Sequence, residues 1–212
     1  MNRKSYPTDL TDEQWNLLQP MLPPAKRRGR KRTVDFREII NAMLYLLRTG
    51  CSWRMLPHDF PVWQTVNGYF NEWRDTMLFE KINDILNLAV RESAGREDCP
   101  SAAIIDSQSV KTTEQGGVRG YDAGKKINGR KRHIIVDTMG LLMRVFVHSA
   151  DIQDRDGAKL LLARIKDQFP RLQLIWADGG YAGQLIEFVK TQFNWVLQMA
   201  LLHKQLRRRW FW

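Results

Sequence analysis

Along the first 95 residues apolar side chains recur every three or four positions; beyond residue 100 they alternate or run in short blocks. The first spacing is that of one face of an α-helix, and the second is that of strands. "LTDEQWNLLQPML" opens with Thr11 and Gln14, spaced so that each side chain can satisfy an orphan N–H at the helix start. Trp15, Leu18 and Leu22 share a face, and Pro23-Pro24 stops the helix. A second helix is predicted over roughly 35–49, with Phe36, Ile39, Ile40, Met43, Leu44 and Leu47 on one side. Gly50 follows it as the residue that takes a positive φ. A third starts near Pro61 with Val62, Val66, Tyr69, Phe70 and Trp73 at helical intervals, and a fourth spans about 77–92. "SAGREDCPS", 93–101, is small, polar and proline-containing, and reads as a domain boundary. After it "AAIID" is a short buried strand, and "HIIVDT" and "LMRVFVHS" flank Met139-Gly140 as an antiparallel hairpin. "DRDGAKLLLARIKDQF" is a helix with Ala158, Leu161, Leu162, Ile165 and Phe169 inward, "LQLIWAD" a strand, "AGQLIEFVK" a helix and "WVLQM" a last strand. The pattern predicts a helical domain over 1–93 and an α/β domain over 101–200, with no internal repeat.

Charge narrows the partners. The 212 residues carry a net charge of +10, which calls for a polyanionic partner or serves solubility. "KRRGRKR", 26–32, lies in the linker 24–33, and "GKKINGRKRH", 124–133, precedes the hairpin. Neither forms a membrane-surface helix, and no apolar run approaches the ~20 residues that span a bilayer. Cys51 and Cys99 stand far apart without paired ligands, so free thiols in a reducing, cytoplasmic setting are expected.

Helices two and three, joined by a short loop, suit a helix-turn-helix-like module. Gln64, Asn67, Asn71 and Arg74 would then face base edges or phosphates; an ordinary helical bundle with a solvated face has the same spacing. In the linker, Arg27, Arg28, Arg30, Lys31 and Arg32 resemble a minor-groove arm or a phosphate-binding tether. Lys111, Lys125, Lys126, Arg130, Lys131 and Arg132 are candidates for phosphate contacts, the alternative for the 124–133 run being a solvated loop.

Two apolar strands each run into an aspartate, Asp106 and Asp178. A crossover through a helix lets such strands lie parallel and adjacent, bringing both acids to the carboxyl edge where α/β sites form. Two ionised carboxylates that close repel unless a divalent cation bridges them. Mg²⁺ or Mn²⁺, as a pair of ions, can stabilise both the attacking and the leaving oxygen of a phosphodiester displacement. Each aspartate alone also makes a good turn former. His148, Asp151, Asp154 and Asp156 could bind metal, but they lead into a helix, where acids cap and favour the dipole; capping and solvated-loop roles are expected for them, and a structural role for Asp137.

The motifs "YPTDLTDEQWNLLQPMLP", "LLRTGCSWRMLPHDFP", "IIDSQSVKT", "GYDAGKKINGRKRHIIVDTMGLL", "HSADIQDRDGA" and "ADGGYAG" stand in one order over about residues 6–200. In this the chain resembles DDE transposases of bacterial insertion sequences, in the group conventionally numbered five. The resemblance implies a ribonuclease-H-like mixed sheet with flanking helices behind a small all-α DNA-binding domain. It matches Asp106 and Asp178 to the first two catalytic acids. It implies Mg²⁺-dependent cleavage at transposon ends, then attack of the freed 3′-hydroxyl on target DNA. It further implies double-stranded DNA partners (terminal inverted repeats and target), a homo-oligomer when active, and a cytoplasmic, nucleoid-associated setting. The family's third acid, a glutamate on a helix after the last strand, has no match, and Glu187 lies before that strand. The tail 201–212, "LLHKQLRRRWFW", is basic and tryptophan-rich, unlike the family. The expectation is a truncated or frameshifted reading frame, with a frameshifted longer product as the alternative. A non-catalytic DNA-binding inhibitor and an unrelated metal-dependent nuclease are the competing functions.

Overall fold

Helices α1 and α2 begin on residues whose side chains close them. The structure, a computed structural model, describes residues 3–24, 33–112 and 117–200. At α1 (Asp12–Leu18) the reciprocal cap forms: Thr11 Oγ1 accepts from Gln14 N at 3.2 Å and Gln14 Oε1 from Thr11 N at 3.0 Å. At α2 (Phe36–Thr49) the Asp35 carboxylate accepts from Arg37 N at 2.8 Å, and the helix ends on Gly50 with φ 67°, a conformation that costs a side-chain-bearing residue more than glycine. α3 (Trp63–Asp75) follows Pro61, and α4 (Leu78–Ser93) follows Met77. The core between them is largely aromatic. Phe36 meets Tyr69 and Trp73 edge-on with centroids 5.1 Å apart, around buried Ile39, Phe60 and Val66. Leu47 and Val62, assigned inward by spacing, are exposed: the first sits in the last turn of α2 and the second just before α3.

The chain divides into two compact units between Ile82 and Asn83, inside α4 and ahead of the boundary expected at 93–101. The reason lies in what the rest of α4 bonds. Asn83 and Asn87 both donate to Leu142 O, at 2.7 and 2.6 Å. Asp84 pairs with Arg144 at 2.6 Å, and Arg91 pairs with Asp137, both buried.

The second unit holds a six-stranded mixed sheet. β1 (Ala102–Lys111) runs antiparallel to β3 (Ile127–Asp137), from Ala103 opposite Asp137 to Lys111 opposite Gly129. On its other side β1 is parallel to β5 (Leu174–Ala177), which is parallel in turn to β6 (Val196–Met199). β2 (Gly120–Asp122) and β4 (Leu142–Ser149) both pair with β3. Ala103, Ile105, Ile135, Ile175 and Ala177 line the face that packs on α5 (Asp154–Ile165) and α6 (Gln184–Phe193). Of the residues assigned inward on this helix, Ala158, Leu161, Leu162 and Ile165 are buried, while Phe169 lies beyond its end at Ile165 and is half-buried.

Two stretches depart from the sequence reading. β1 continues to Lys111, so Asp106 lies within the strand rather than at its end. The basic run before the hairpin is β3 itself, where a loop was expected. Its residues alternate, with Gly129, Lys131 and His133 inward. Gly129 permits this pairing, because a Cβ there would fall 1.9 Å from Val110 O.

Candidate active site

The β1–β5 ladder pairs Ala102 with Leu174, Ala103 with Ile175 and Ile104 with Trp176. The ladder ends there; the same offset carried two residues further would bring Asp106 level with Asp178. Alternation turns Asp106 to the face opposite Ala103 and Ile105. Asp106 is half-buried and accepts from Ser107 N at 2.8 Å. Asp178 closes β5 and caps the 3-10 turn Gly179–Tyr181, accepting from Gly180 N at 3.0 Å. The turn-forming role is therefore real, and it engages one oxygen of Asp178.

Beneath this edge runs a polar network that the sequence reading missed. Tyr181 is fully buried, and its hydroxyl lies 3.0 Å from His133 Nδ1. Burial drives the Tyr181 phenol well above its ordinary range; the Ser107 side chain opposes this, and the Asp154, Asp106 and Asp178 carboxylates add to the rise. His133 stacks on His148 with centroids 5.0 Å apart. His148 Nδ1 donates to Ser149 O at 2.6 Å, so its Nε2 carries no proton in the neutral ring. The Nε2 atoms of both rings are buried without a hydrogen-bond partner among the described residues and crowd Gly157 of α5, where a Cβ would sit 2.3 Å from each. Burial and then His148 lower His133 to about 4.

Alongside lies an open groove of about 510 Å³ lined by Asp122, Lys125, Lys131, Asp154, Arg155 and Gly180 among others. Lys131 is almost wholly buried there, at 4 % exposure. Its ammonium lies 2.8 Å from Asp154 and 3.2 Å from Asp122, and donates to Ile152 O at 2.9 Å. Burial alone would raise Asp122; the Ser109 hydroxyl, Lys125 N–H and Lys131 ammonium outweigh it and hold the acid down to about 2. Asp154 is lowered as well, burial being outweighed by the bond and charge of Lys131. Lys125 Nζ reaches Ser107 O at 3.3 Å, next to Asp106.

Of the cations singled out in sequence, Lys125 and Lys131 thus meet the groove. Lys131 serves there as an internal counter-ion, because the strand period turns it inward. Lys111, Lys126 and Arg132 are exposed elsewhere, Arg132 bonded to Gln108, while Arg130 donates to Val118 O at 3.3 Å. In the other unit Gln64 and Arg74 are exposed on α3, with Asn67 and Asn71 half-buried and bonded to each other at 3.0 Å. Arg27, Arg28, Arg30, Lys31, Arg32 and the tail 201–212 lie outside the described residues. The donors offered by Asp106 and Asp178 are all oxygen and fit Mg²⁺ or Mn²⁺ in kind. Among the described residues no group of three or more His, Cys, Asp or Glu is arranged to hold a metal ion, and Glu187 is exposed on α6.

Comparison with known proteins decides the family. The model of the "Transposase DDE domain" family matches residues 97–210, more than half of the chain. The chain belongs to the DDE transposases. A second model, "Putative transposase of IS4/5 family", matches residues 10–83. The chain is also 30 % identical over 113 residues to an uncharacterized 16.2 kDa protein of insertion element IS402 from Burkholderia cepacia, covering 50 % of this chain and 76 % of that protein. Among solved structures it is similar to a chain of the simian T-cell lymphotropic virus intasome in complex with PP2A regulatory subunit B56 gamma (TM-score 0.36, 16 % identity, 54 % of this chain). A second is the HTLV-2 integrase catalytic core domain in complex with magnesium (TM-score 0.34, 16 % identity, 52 % of this chain). The chain spans 40 % and 65 % of those two chains. Its α/β sheet, with an antiparallel hairpin on one side of β1 and parallel crossover strands on the other, is the ribonuclease-H-like arrangement expected. Among the described residues no helix is long and apolar enough to cross a membrane.

Proposed function

We propose that this transposase cleaves DNA at the ends of an insertion element and transfers the freed strand to target DNA, with Asp106 and Asp178 as its first two catalytic acids. The observation that supports this is the β1–β5 offset, which pairs Ile104 with Trp176 and, continued along both chains, would bring Asp106 level with Asp178, beside a groove lined by Lys125 and Arg155 among others. Asp106 and Asp178 would hold Mg²⁺ or Mn²⁺, two ions in a complete site. When bound, such ions activate water or a 3′-hydroxyl and stabilise the leaving oxygen. The chain's own part is positioning and charge. Lys125 and Arg155 line the groove and receive phosphate oxygens. Lys131 neutralises Asp122 and Asp154 without leaving the interior. Gln64, Asn67, Asn71 and Arg74 on α3 contact terminal repeats, and Lys111, Lys126, Arg130, Arg132 and the linker arginines and lysine reach flanking phosphates. The partners are terminal inverted repeats and target duplex, the working form is a homo-oligomer, and the setting is the bacterial cytoplasm at the nucleoid.

The test is nicking of a transposon-end duplex with Mg²⁺ or Mn²⁺. Cleavage that disappears in Asp106→Ala supports the reading. A second reading is favoured by the lack of a three-acid group among the described residues: a DNA-binding protein that occupies transposon ends without cutting them. Binding without nicking would select it. Equal cutting of duplex lacking the repeats would point instead to a nuclease.

A further inference from the structure

The backbone ladder between the two aspartate-bearing strands stops short of the aspartates. Its last pair is Ile104 with Trp176. Past that point β1 continues only as a partner of β3, and β5 ends at Ala177. Something other than β1–β5 pairing must set the spacing between Asp106 and Asp178.

Tyr181 is placed to do so. Its backbone N donates to Asp178 O at 3.1 Å, in the turn that Asp178 caps. Its ring is fully buried in the sheet core. Its hydroxyl lies 3.0 Å from His133 Nδ1 on β3, and the Ser107 side chain on β1 is close enough to perturb it. Ser107 and His133 face each other in the β1–β3 register, one step beyond Asp106 and Ile134. The phenol therefore spans from the Asp178 turn to the strand pair immediately next to Asp106. Ser107 completes the link, since its N–H donates to the Asp106 carboxylate.

We infer that Tyr181 is the positioning residue of the aspartate pair: its hydroxyl, acting through Ser107, fixes the separation at which Asp106 and Asp178 together take a divalent cation. The inference rests on the metal reading of that pair. A partner that orients metal ligands typically changes metal affinity by 10–100-fold when lost. A ring that merely fills the core would change stability and leave affinity alone.

The experiment titrates Mn²⁺ into the full chain by calorimetry, with thermal unfolding followed in parallel. Asp106→Asn is expected to abolish binding. Tyr181→Phe, which keeps the ring, is expected to weaken Mn²⁺ by about tenfold while the chain remains folded. Ser107→Ala is expected to weaken it similarly without touching the ring, and supplies the test if Tyr181→Phe does not fold. The double variant should be no weaker than either single, because both remove one link. Tyr181→Phe or Ser107→Ala binding Mn²⁺ like wild type, while Asp106→Asn does not, overturns the positioning role alone. Wild-type affinity in Asp106→Asn brings down the metal reading, and this inference with it.

Discussion

The helical unit and the sheet unit place their candidate functional side chains differently, although both bury polar groups, Asn41 and the Arg3–Asp9–Glu38 cluster in the first. In the first, aromatic and aliphatic side chains fill the core, and the candidate DNA-contacting residues Gln64 and Arg74 stand in solvent on α3. In the second, Lys131, His133 and Asp122 are all buried within the sheet that carries the candidate site. Buried polar groups are costly unless partnered, so the second unit binds its chemistry and its stability together. The first keeps them apart. The contrast teaches where substitutions should act on one property and where on both.

Lys131→Met should break the contrast most sharply. It strands two carboxylates, one almost fully buried, with no ammonium between them. Removing one partner of a buried pair typically costs about 3–5 kcal/mol, and urea unfolding would read it. Arg132→Met, one residue along the same strand but exposed, should stay within about 0.5 kcal/mol. Equal effects at both positions would mean that the inward network contributes nothing special.

Acid should separate the units next. His133 is held near 4 in the folded chain, against 6.5 for an ordinary imidazole. The unfolded chain therefore takes up its proton first, and folding loses stability as pH falls. The contribution is complete above about 6.5 and disappears by about 4, and is on the order of 3 kcal/mol. Asp122, held to about 2 from 3.8, extends the loss to lower pH. His133→Gln should flatten the upper part of the stability profile. An unchanged slope between pH 6.5 and 4 would remove His133 as its source.

These two predictions mark what the sequence could and could not disclose. Helix caps and faces are local, so Thr11, Gln14 and Gly50 declared α1 and α2, and Asp178 declared the end of β5; Asp106, five residues short of the end of β1, declared no end. Lys131 and His133 were hidden because a run of cations reads as solvated. Only the strand period, with Gly129 admitting Val110 O, turns every second one inward. Tyr181 was hidden differently. Its role depends on which β1–β3 pair lies above it, and register is not written in any one segment. Asp154 was read as a helix-start acid, which it is; its pairing with Lys131 spans two elements.

Gly157→Ala is a smaller wedge into the same network. The added methyl would meet both imidazole Nε2 atoms at 2.3 Å, forcing a shift that typically costs about 1–3 kcal/mol. Combining it with His148→Ala should restore part of the loss, since one of the two contacts is gone. Unfolding of the two variants side by side would show whether α5 is seated on those rings. No recovery in the pair would mean that α5 has moved instead.

The helical unit supplies the smallest expected change in stability. Gln64→Ala with Arg74→Ala removes two exposed side chains from α3, the latter paired with its neighbour Asp75 at 2.8 Å. An exposed ion pair of this kind contributes little, so unfolding should shift by no more than about 0.5 kcal/mol. Affinity for a transposon-end duplex should nonetheless fall, and the salt dependence of binding should lose about one unit of slope if Arg74 contacts a phosphate. Loss of stability without loss of affinity would reverse the contrast, making α3 a structural helix and returning the basic side chains of the sheet unit to first place as the DNA-binding surface.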